Sequence, residues 1–490
     1  MFRIDLRSLA AFRIAISLVL LWDLCVRSVD MEAHYSDRGV LPRTVLIENF
    51  LANHPYVSLH ILHGSVQFQA LLFCAAGLFA LALLFGYRTR VATVASWFLL
   101  CSLHARNPLI VHGGDDLMRV LLFWGMFVPL GAQWSIDRAF ATELTPDDQG
   151  ICSVGSAGLL LQLCFMYMFS GALKSHSSWR TDGSAVYLAL SIDQYSTALG
   201  RALMPYRDLL RAFTFGTLAI EIGGPFVALF SFESVRLRNL TVAAFIGFHL
   251  GLCLCIELGI FPAVCIAGWL TFLPGAVWDK LQLRVGKVVT TWYRRYSGHL
   301  KRIISRFCCA PPTAMMDMRP SLLGTWFAVL ALVYIVMWNA RATDYNRLVR
   351  VFPRSLNLIG ETLRIDQYWG MFAPFPSAEH GWYVLYARLH NGEEIDLLSE
   401  KPVSWTKPRL VSAQFRSERW RKYLMNLAAA SYSSYRPYYA QYLHRSWNAG
   451  HPEARQLAHL EVCFIEEDAL PGYRLSPQRR VSLWIQDWTE

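Results

Sequence analysis

Nine continuous apolar runs constrain this chain more than any other feature of its sequence. A helix needs roughly 17–25 mostly apolar residues to cross the hydrocarbon core of a bilayer. Runs of about that length lie at 9–27, 66–86, 91–105, 117–133, 153–173, 209–231, 239–256, 259–276 and 321–339. They predict a mainly α fold, a polytopic membrane helix bundle of about nine transmembrane helices.

The composition agrees with a membrane protein and excludes other classes. Hydrophobic residues make up 54% of the 490 residues and charged residues only 17%, whereas soluble domains carry about 25% charged residues. This composition excludes intrinsic disorder and argues against an ordinary soluble enzyme. The net charge is +10, but the basic residues form short clusters between apolar runs. The predicted partner is therefore membrane lipid with anionic headgroups, and no nucleic acid.

The cysteine positions and the motifs of the sequence do not indicate a catalytic site of the kinds found in soluble enzymes. Most of the 11 Cys lie inside apolar runs, where we expect them to be small buried hydrophobic residues. No CxxC pair is present, so the sequence predicts no metal site. The chain also lacks the GxGxxG, P-loop, HExxH and GxSxG motifs of soluble enzymes.

The distribution of apolar and basic residues divides the chain into four parts. Residues 1–278 form a transmembrane domain, 279–320 a basic cytoplasmic connection, 321–340 the last transmembrane helix and 341–490 an extramembrane domain. The connection fits an amphipathic helix in the headgroup plane, with a solvated loop as the alternative. Lys and Arg are more frequent on the side of the N-terminus. The positive-inside rule then predicts an integral, multi-pass protein with a cytoplasmic N-terminus and, after nine crossings, an outer C-terminal domain.

The C-terminal part carries a different pattern, typical of a small α+β domain. Strand-like runs lie at 382–389, 394–398, 460–465 and 480–485. Asn391-Gly392 is a hairpin signal between the first two runs. The intervening stretch 415–447 is rich in Tyr and Arg and is predicted to be helical.

Ionisable side chains within or at the ends of membrane spans are costly and are functional candidates by default. They are Lys174, Glu221, His249, His112 and Asp115. Four of these five have a structural alternative. Lys174 could reach the interface, and Glu221 could pair with an Arg. His249 could hydrogen-bond a neighbouring helix, and Asp115 could cap a helix N-terminus.

Lys174 and His249 stand out because both are expected in the outer half of the membrane, where they could face one cavity. The Lys174 amine is expected among Phe169, Leu173 and Trp179, an apolar setting that disfavours its charged form. A neutral amine is a usable base. The pair is therefore a candidate catalytic centre, and the structural alternatives for both residues stay open.

Several short segments resemble the HTTM (horizontally transferred transmembrane) domain, the membrane part shared with vitamin K-dependent γ-carboxylases. These segments are Ser8–Arg13 (SLAAFR), His34–Pro42 (HYSDRGVLP), Trp134–Asp137 (WSID), Gly171–Lys174 (GALK) with Trp179 after it, and His249 followed by Gly259–Pro262 (GIFP). They occur in the family's order, and the resemblance covers about residues 1–276.

The resemblance implies a membrane enzyme that uses a reduced quinone, either reduced vitamin K or a menaquinol-like quinone, with oxygen and carbon dioxide as co-substrates. In the carboxylases, quinol oxidation to the epoxide drives proton removal from a protein glutamate, which carbon dioxide then carboxylates. Lys174 would be the base for the quinol, and His249 would hydrogen-bond the quinol or the developing oxyanion. Trp179, Glu221, His112 and Asp115 are the candidate cofactor-binding residues.

Two classes of function stay open at this stage. The first is an enzyme of the carboxylase type acting on a protein or peptide substrate. The second is a non-catalytic membrane scaffold, or a lipid- or partner-binding protein. The segment 341–490 is much shorter than the large lumenal domain of the carboxylases, which leaves the substrate open.

Overall fold

The computed structural model describes residues 1–141, 149–231, 233–283, 321–376, 379–470 and 474–488. Most of the basic connection, from residue 284 onward, lies outside the described residues, and with it most of the predicted interfacial helix. The remaining ranges contain the membrane helices and the C-terminal segment.

The membrane part is built from long helices in the order expected. They are α1 (Leu6–Val29), α2 (Val66–Phe85), α3 (Thr89–Arg106), α4 (Gly113–Gly125), α5 (Val154–Leu173), α6 (Arg207–Phe230), α7 (Val235–Cys255), α8 (Phe261–Phe272), α9 (Gly275–Leu283) and α10 (Leu322–Thr343). Short helices connect them at Met31–Tyr35, Arg43–Leu46, Ile136–Phe140, Ser177–Arg180, Ala185–Ser191 and Ala198–Leu203. Strands β1 (Ile4–Asp5) and β2 (Gly150–Ile151) pair antiparallel near the start of α1.

The predicted count of nine membrane spans is not confirmed. Within the described residues, six helices are long and apolar enough to cross a bilayer, namely α1, α2, α5, α6, α7 and α10. Helices α8 and α9 meet at 91° and add a seventh if together they form one span. The predicted spans at 91–105 and 117–133 are not confirmed. Helix α3 carries Arg90, His104 and Arg106, and α4 ends at Gly125 after 13 residues.

Helix α5 begins and ends at clear sequence signals. The Ser153 hydroxyl accepts a hydrogen bond from the Ser156 backbone N–H, and the Ser156 hydroxyl accepts one from the Ser153 N–H, which satisfies two free donors of the first turn. The helix ends at Leu173, so that Lys174 is its C-terminal cap. This places Lys174 at the end of a buried span.

Helix α6 is interrupted by a wide turn. Residues Ala219–Gly223 form a π-helical turn between two α-helical halves. Pro225 follows, and a proline lacks the N–H that a regular helix would use four residues earlier. Wide turns of this kind occur frequently at functional sites. Glu221 lies in this turn.

The C-terminal segment forms an antiparallel sheet with two helices. Its strands are β3 (Glu379–Leu389), β4 (Glu394–Asp396), β5 (Lys401–Pro402), β6 (Leu457–Leu470), β7 (Arg474–Leu475) and β8 (Arg479–Asp487). The order is β5-β4-β3-β6-β7, and β8 also pairs with β6. Helices α11 (Glu418–Ala428) and α12 (Arg436–Asn448) lie between β5 and β6 in the chain. The predicted strands, the hairpin and the helical stretch are confirmed.

The C-terminal segment shares a hydrophobic core with the membrane part. Tyr423 and Leu427 of α11 belong to the same buried cluster as Tyr35 and Leu109, which lie in connections between membrane helices. The Asn426 side chain donates to the Leu109 backbone carbonyl at 2.7 Å. Helix α11 is therefore packed against the membrane part, where it contributes to the site described next.

Candidate functional site

A cavity of about 1060 Å³ lies between α5, α6 and α7. The C-terminal segment closes it with residues of α11 and of the connection 368–375. Most of the lining is apolar or aromatic, with a few polar side chains at defined places. Ligand sites in proteins have this character.

Lys174 lies in the cavity wall and is paired with Glu221. The Lys174 Nζ atom is 2.8 Å from Glu221 Oε2 and 3.0 Å from Oε1, and it donates to the Ser170 hydroxyl at 2.7 Å. Only 2% of the Lys174 side chain is exposed. The ammonium also lies 5.1 Å from the centre of the Trp179 ring. We predicted an apolar setting for this amine, whereas a carboxylate balances its charge.

The sequence allows α5 to approach the wide turn of α6 closely. A Cβ atom on Gly171 would lie 2.6 Å from Ile222 Cγ1, so a larger residue there would push the two helices apart. Ser170 and Lys174 are four residues apart and share one face of the helix end. Arg180 donates to the backbone carbonyls of Gly171 and Lys174, at 2.8 Å each, and so caps that end.

His249 of α7 lines the same cavity and is held by Tyr167. The two side chains are joined by a hydrogen bond of 2.5 Å between His249 Nε2 and the Tyr167 hydroxyl. The Tyr167 oxygen already accepts a hydrogen bond from the Trp269 indole N–H at 3.0 Å, so its own proton is available to Nε2. In that arrangement Nδ1 carries the ring proton. Nδ1 is buried and has no hydrogen-bond partner among the described residues.

Of the remaining predicted residues, His112 and Trp179 also line the cavity. The Trp179 indole N–H donates to the Phe372 carbonyl at 2.9 Å, which ties it to the connection 368–375. His112 Nδ1 accepts from the Gly114 backbone N–H at 3.0 Å, and His112 Nε2 lies 3.5 Å from Glu418 Oε1. Lys174, Glu221, His249, Trp179 and His112 are thus brought together.

Asp115 is not part of the cavity lining. Its carboxylate accepts from the His112 backbone N–H at the start of α4, which is the capping alternative named above. It also pairs with Arg27 at 2.5 Å and with Arg419 at 2.5 Å. Because both oxygens are used in this way, the structure gives no support to cofactor binding by Asp115.

Sequence reasoning missed the contribution of the C-terminal segment to the cavity. Glu418, Arg421 and Lys422 line it, and all three lie on α11. Burial raises the pKa of Glu418, but the close contact with His112 and the charge of Arg419 outweigh burial and lower this pKa to about 2. The only signal in the sequence was their spacing of three and four residues, which places the three side chains on one face of the predicted helix.

Within the described ranges, no group of three or more His, Cys, Asp or Glu side chains is arranged to hold a metal ion. The long apolar helices define a multi-pass membrane protein. The HTTM domain model matches residues 2–276, more than half of the chain. The chain therefore belongs to the HTTM domain family. No curated protein and no solved structure matched it.

Proposed function

We propose that this protein is a membrane enzyme that oxidises a reduced quinone at Lys174, in the manner of the vitamin K-dependent γ-carboxylases. The observation that supports it most is the placement of the Lys174–Glu221 pair and His249 in the wall of one cavity. Lys174 and His249 each belong to a segment that resembles the carboxylases.

The cavity suits a reduced quinone. A volume of about 1060 Å³ is at the upper end of the range for small-molecule sites. Phe213, Phe248 and Leu252 supply apolar lining for a ring and the start of a lipid tail. Lys174 and His249 supply polar groups that could contact the ring hydroxyls. The residues present therefore fit a compound with one flat polar ring and an apolar tail.

In this proposal Lys174 and Glu221 work as one unit. The pair is neutral overall, which reduces the cost of burying two charges. Transfer of one proton from Nζ to Glu221 leaves a neutral amine beside the cavity, and that amine can accept a proton from a hydroxyl bound there. Ser170 and the Trp179 ring hold the amine in position.

His249 has a complementary role. Its Nδ1 proton is directed to no other described group, so it can be donated to an oxygen that becomes negative after proton loss. Tyr167 fixes the ring and its tautomer. A reduced quinone, with oxygen, would supply the driving force for removing a proton from an acceptor that carbon dioxide then carboxylates. The apolar lining would keep water from the reacting groups.

We also propose a cytoplasmic N-terminus and an outer C-terminal segment, as the distribution of Lys and Arg predicts. The contact between Arg419 of α11 and Asp23, close to the C-terminal end of α1, supports the placement of the N-terminus and the C-terminal segment on opposite sides of the membrane. Since the chain enters α1 at the other end, the N-terminus and α11 lie at opposite ends of that span.

The experiment measures quinol turnover by the purified full-length protein in nanodiscs. Vitamin K hydroquinone is supplied under oxygen, with and without a glutamate peptide and labelled bicarbonate, and epoxide and fixed label are quantified. We expect epoxide formation by the wild type and its loss in Lys174→Met. Lys280→Met removes an exposed lysine of α9 and should leave turnover unchanged.

Equal epoxide formation in Lys174→Met and the wild type would overturn the proposal. The Lys174–Glu221 pair would then be a contact that holds α5 against α6, and the non-catalytic scaffold or binding protein would become the better interpretation. Epoxide without fixed label would support quinol oxidation at this site and reject the glutamate peptide as the acceptor.

A further inference from the structure

The charged groups that line the cavity are almost all paired. Lys174 is paired with Glu221. Arg421 lies 3.3 Å from a Glu257 carboxylate oxygen, and its guanidinium stacks over the Tyr195 ring at 4.6 Å. These contacts leave no net charge at either place.

Glu418 is also balanced. One of its carboxylate oxygens lies 3.5 Å from His112 Nε2 and 3.5 Å from Arg419 Nε. The low pKa of Glu418 keeps it ionised while it holds these contacts. Both contacts use the same oxygen, Oε1, and among the described residues no ion pair joins Glu418 to the next lysine on the same helix.

Lys422 differs from these paired residues. It follows Glu418 by one helical turn on α11 and lines the cavity, yet it forms no hydrogen bond or ion pair with any residue that the structure describes. The side chain is half-buried, and burial lowers the pKa of its ammonium group more than the charge of Asp116, which forms no ion pair with it, raises that pKa. Burying an unpaired cation beside an apolar cavity costs free energy unless a bound anion neutralises its charge.

The structure of α11 directs Lys422 to the cavity. Glu418, Lys422 and Met425 are spaced by four and three residues and all line the cavity, so they occupy one face of the helix. The opposite face carries Tyr423 and Leu427, which are buried in the shared core. Rotation of the helix is therefore fixed by packing.

We propose that Lys422 binds the anionic group of a second cavity occupant, and that this compound is a monocarboxylate with an apolar body. One unpaired ammonium balances one negative charge, which favours a carboxylate over a doubly charged phosphate. The apolar lining would receive the rest of the molecule. The inference deepens the proposed function because it describes the compound that would share the cavity with the quinone.

The test measures binding without any reaction. Octanoate and its neutral isostere octanamide are titrated into the purified full-length protein in nonionic detergent, with the heat of the detergent alone subtracted. We expect the wild type to prefer octanoate by about tenfold, the size of one charged hydrogen bond in a half-buried place. Lys422→Gln should lose the preference and Lys422→Arg should keep it. Lys401→Gln, at an exposed lysine of β5, should behave as the wild type.

A second measurement needs no variant. An amine-reactive reagent is applied to the wild type, and labelling of Lys422 and Lys401 is followed by mass spectrometry. Octanoate should slow labelling of Lys422 and leave that of Lys401 unchanged. Equal binding of octanoate and octanamide to the wild type, or no protection of Lys422, would overturn the proposal. Neither measurement uses a quinone, so this inference and the proposed function can fail separately.

Discussion

Two groups of buried charges lie close to the C-terminal segment, and they differ in what surrounds them. The first is the cavity pair, Lys174 and Glu221. The second is the enclosed cluster, formed by Asp23, Arg27, Asp115 and Arg419. In the enclosed cluster each carboxylate contacts both guanidinium groups at 2.5–2.7 Å, and no side chain is more than 2% exposed. The cavity pair has one side against protein and the other against an open volume of about 1060 Å³.

This difference in surroundings indicates a structural role for the enclosed cluster and a chemical role for the cavity pair. The enclosed cluster joins α1, α4 and α11, and it has two positive and two negative groups with no space for a ligand. The cavity pair has the same charge balance but can exchange a proton with a bound molecule. An ion pair buried in a membrane protein is therefore a stronger candidate for function when it borders a cavity.

The largest expected effect comes from removing one cation of the enclosed cluster. Arg419→Met leaves two buried carboxylates with Arg27 alone. An uncompensated buried charge should lower the free energy of unfolding by about 3–5 kcal/mol. The measurement is unfolding of the purified variant in detergent, followed by intrinsic fluorescence.

Arg416→Met is the matched control. This arginine lies three residues earlier, is 69% exposed and is 3.4 Å from Asp30. Its loss should change stability by at most about 1 kcal/mol. Similar losses for the two variants would mean that the enclosed cluster does not hold α11 in place.

A smaller effect is expected when the cavity pair is broken. Glu221→Gln leaves the Lys174 ammonium without its carboxylate, but the ammonium keeps its hydrogen bond to Ser170 and its contact with the Trp179 ring. We expect the free energy of unfolding to fall by about 1–3 kcal/mol, because the amide of the variant can still accept a hydrogen bond from Lys174 but carries no charge. The same unfolding measurement checks it.

Adding Lys174→Met to Glu221→Gln should recover part of that loss, because no unpaired charge then remains. A double variant no more stable than Glu221→Gln would show that the two side chains do not stabilise each other. A loss as large as that of Arg419→Met would remove the distinction between the cavity pair and the enclosed cluster.

The membrane part could be predicted well wherever a single local pattern in the sequence determines the secondary structure. Continuous apolar runs give the long helices, and the strands of the C-terminal sheet follow from their apolar and aromatic residues. Lys174 and His249 were predicted to face one cavity, and both line it. Each of these inferences depends on residues near one another in the chain.

The contacts that could not be predicted join residues that are distant in the chain. Glu221 was considered as a partner for an Arg, yet it pairs with Lys174, because a π-helical turn carries it to the end of α5. Asp115 was considered as a cofactor ligand, yet its carboxylate accepts a hydrogen bond from Arg419, which lies 304 positions later in the chain. The spacing of Lys422 could predict its helix face, but the packing of α11 on the membrane part could not be predicted from one sequence.

The smallest expected effect concerns His34, which lies beside the enclosed cluster. The prediction is that His34 stays unprotonated in the folded protein at mildly acidic pH. His34, in the short helix Met31–Tyr35, is buried, and neither ring nitrogen has a hydrogen-bond partner among the described residues. Burial, and then the charges of Arg27 and Arg419, lower its pKa to about 3. Histidine in an unfolded chain has a pKa of about 6.5. Between pH 6.5 and 3 the unfolded state therefore binds a proton that the folded state does not, so stability falls as the pH is lowered.

At pH 5.5 this contribution of His34 should lower the free energy of unfolding by about 1.3 kcal/mol relative to pH 7, given unfolded and folded pKa values of about 6.5 and 3. His34→Phe keeps a ring against Trp420, which lies 4.4 Å away, but cannot titrate. Its stability should fall less than that of the wild type when the pH is lowered from 7 to 5.5. His63→Phe, at an exposed histidine, should follow the wild type. Parallel pH profiles for His34→Phe and the wild type would show that His34 accepts a proton in the folded state, and that the enclosed cluster does not control its surroundings.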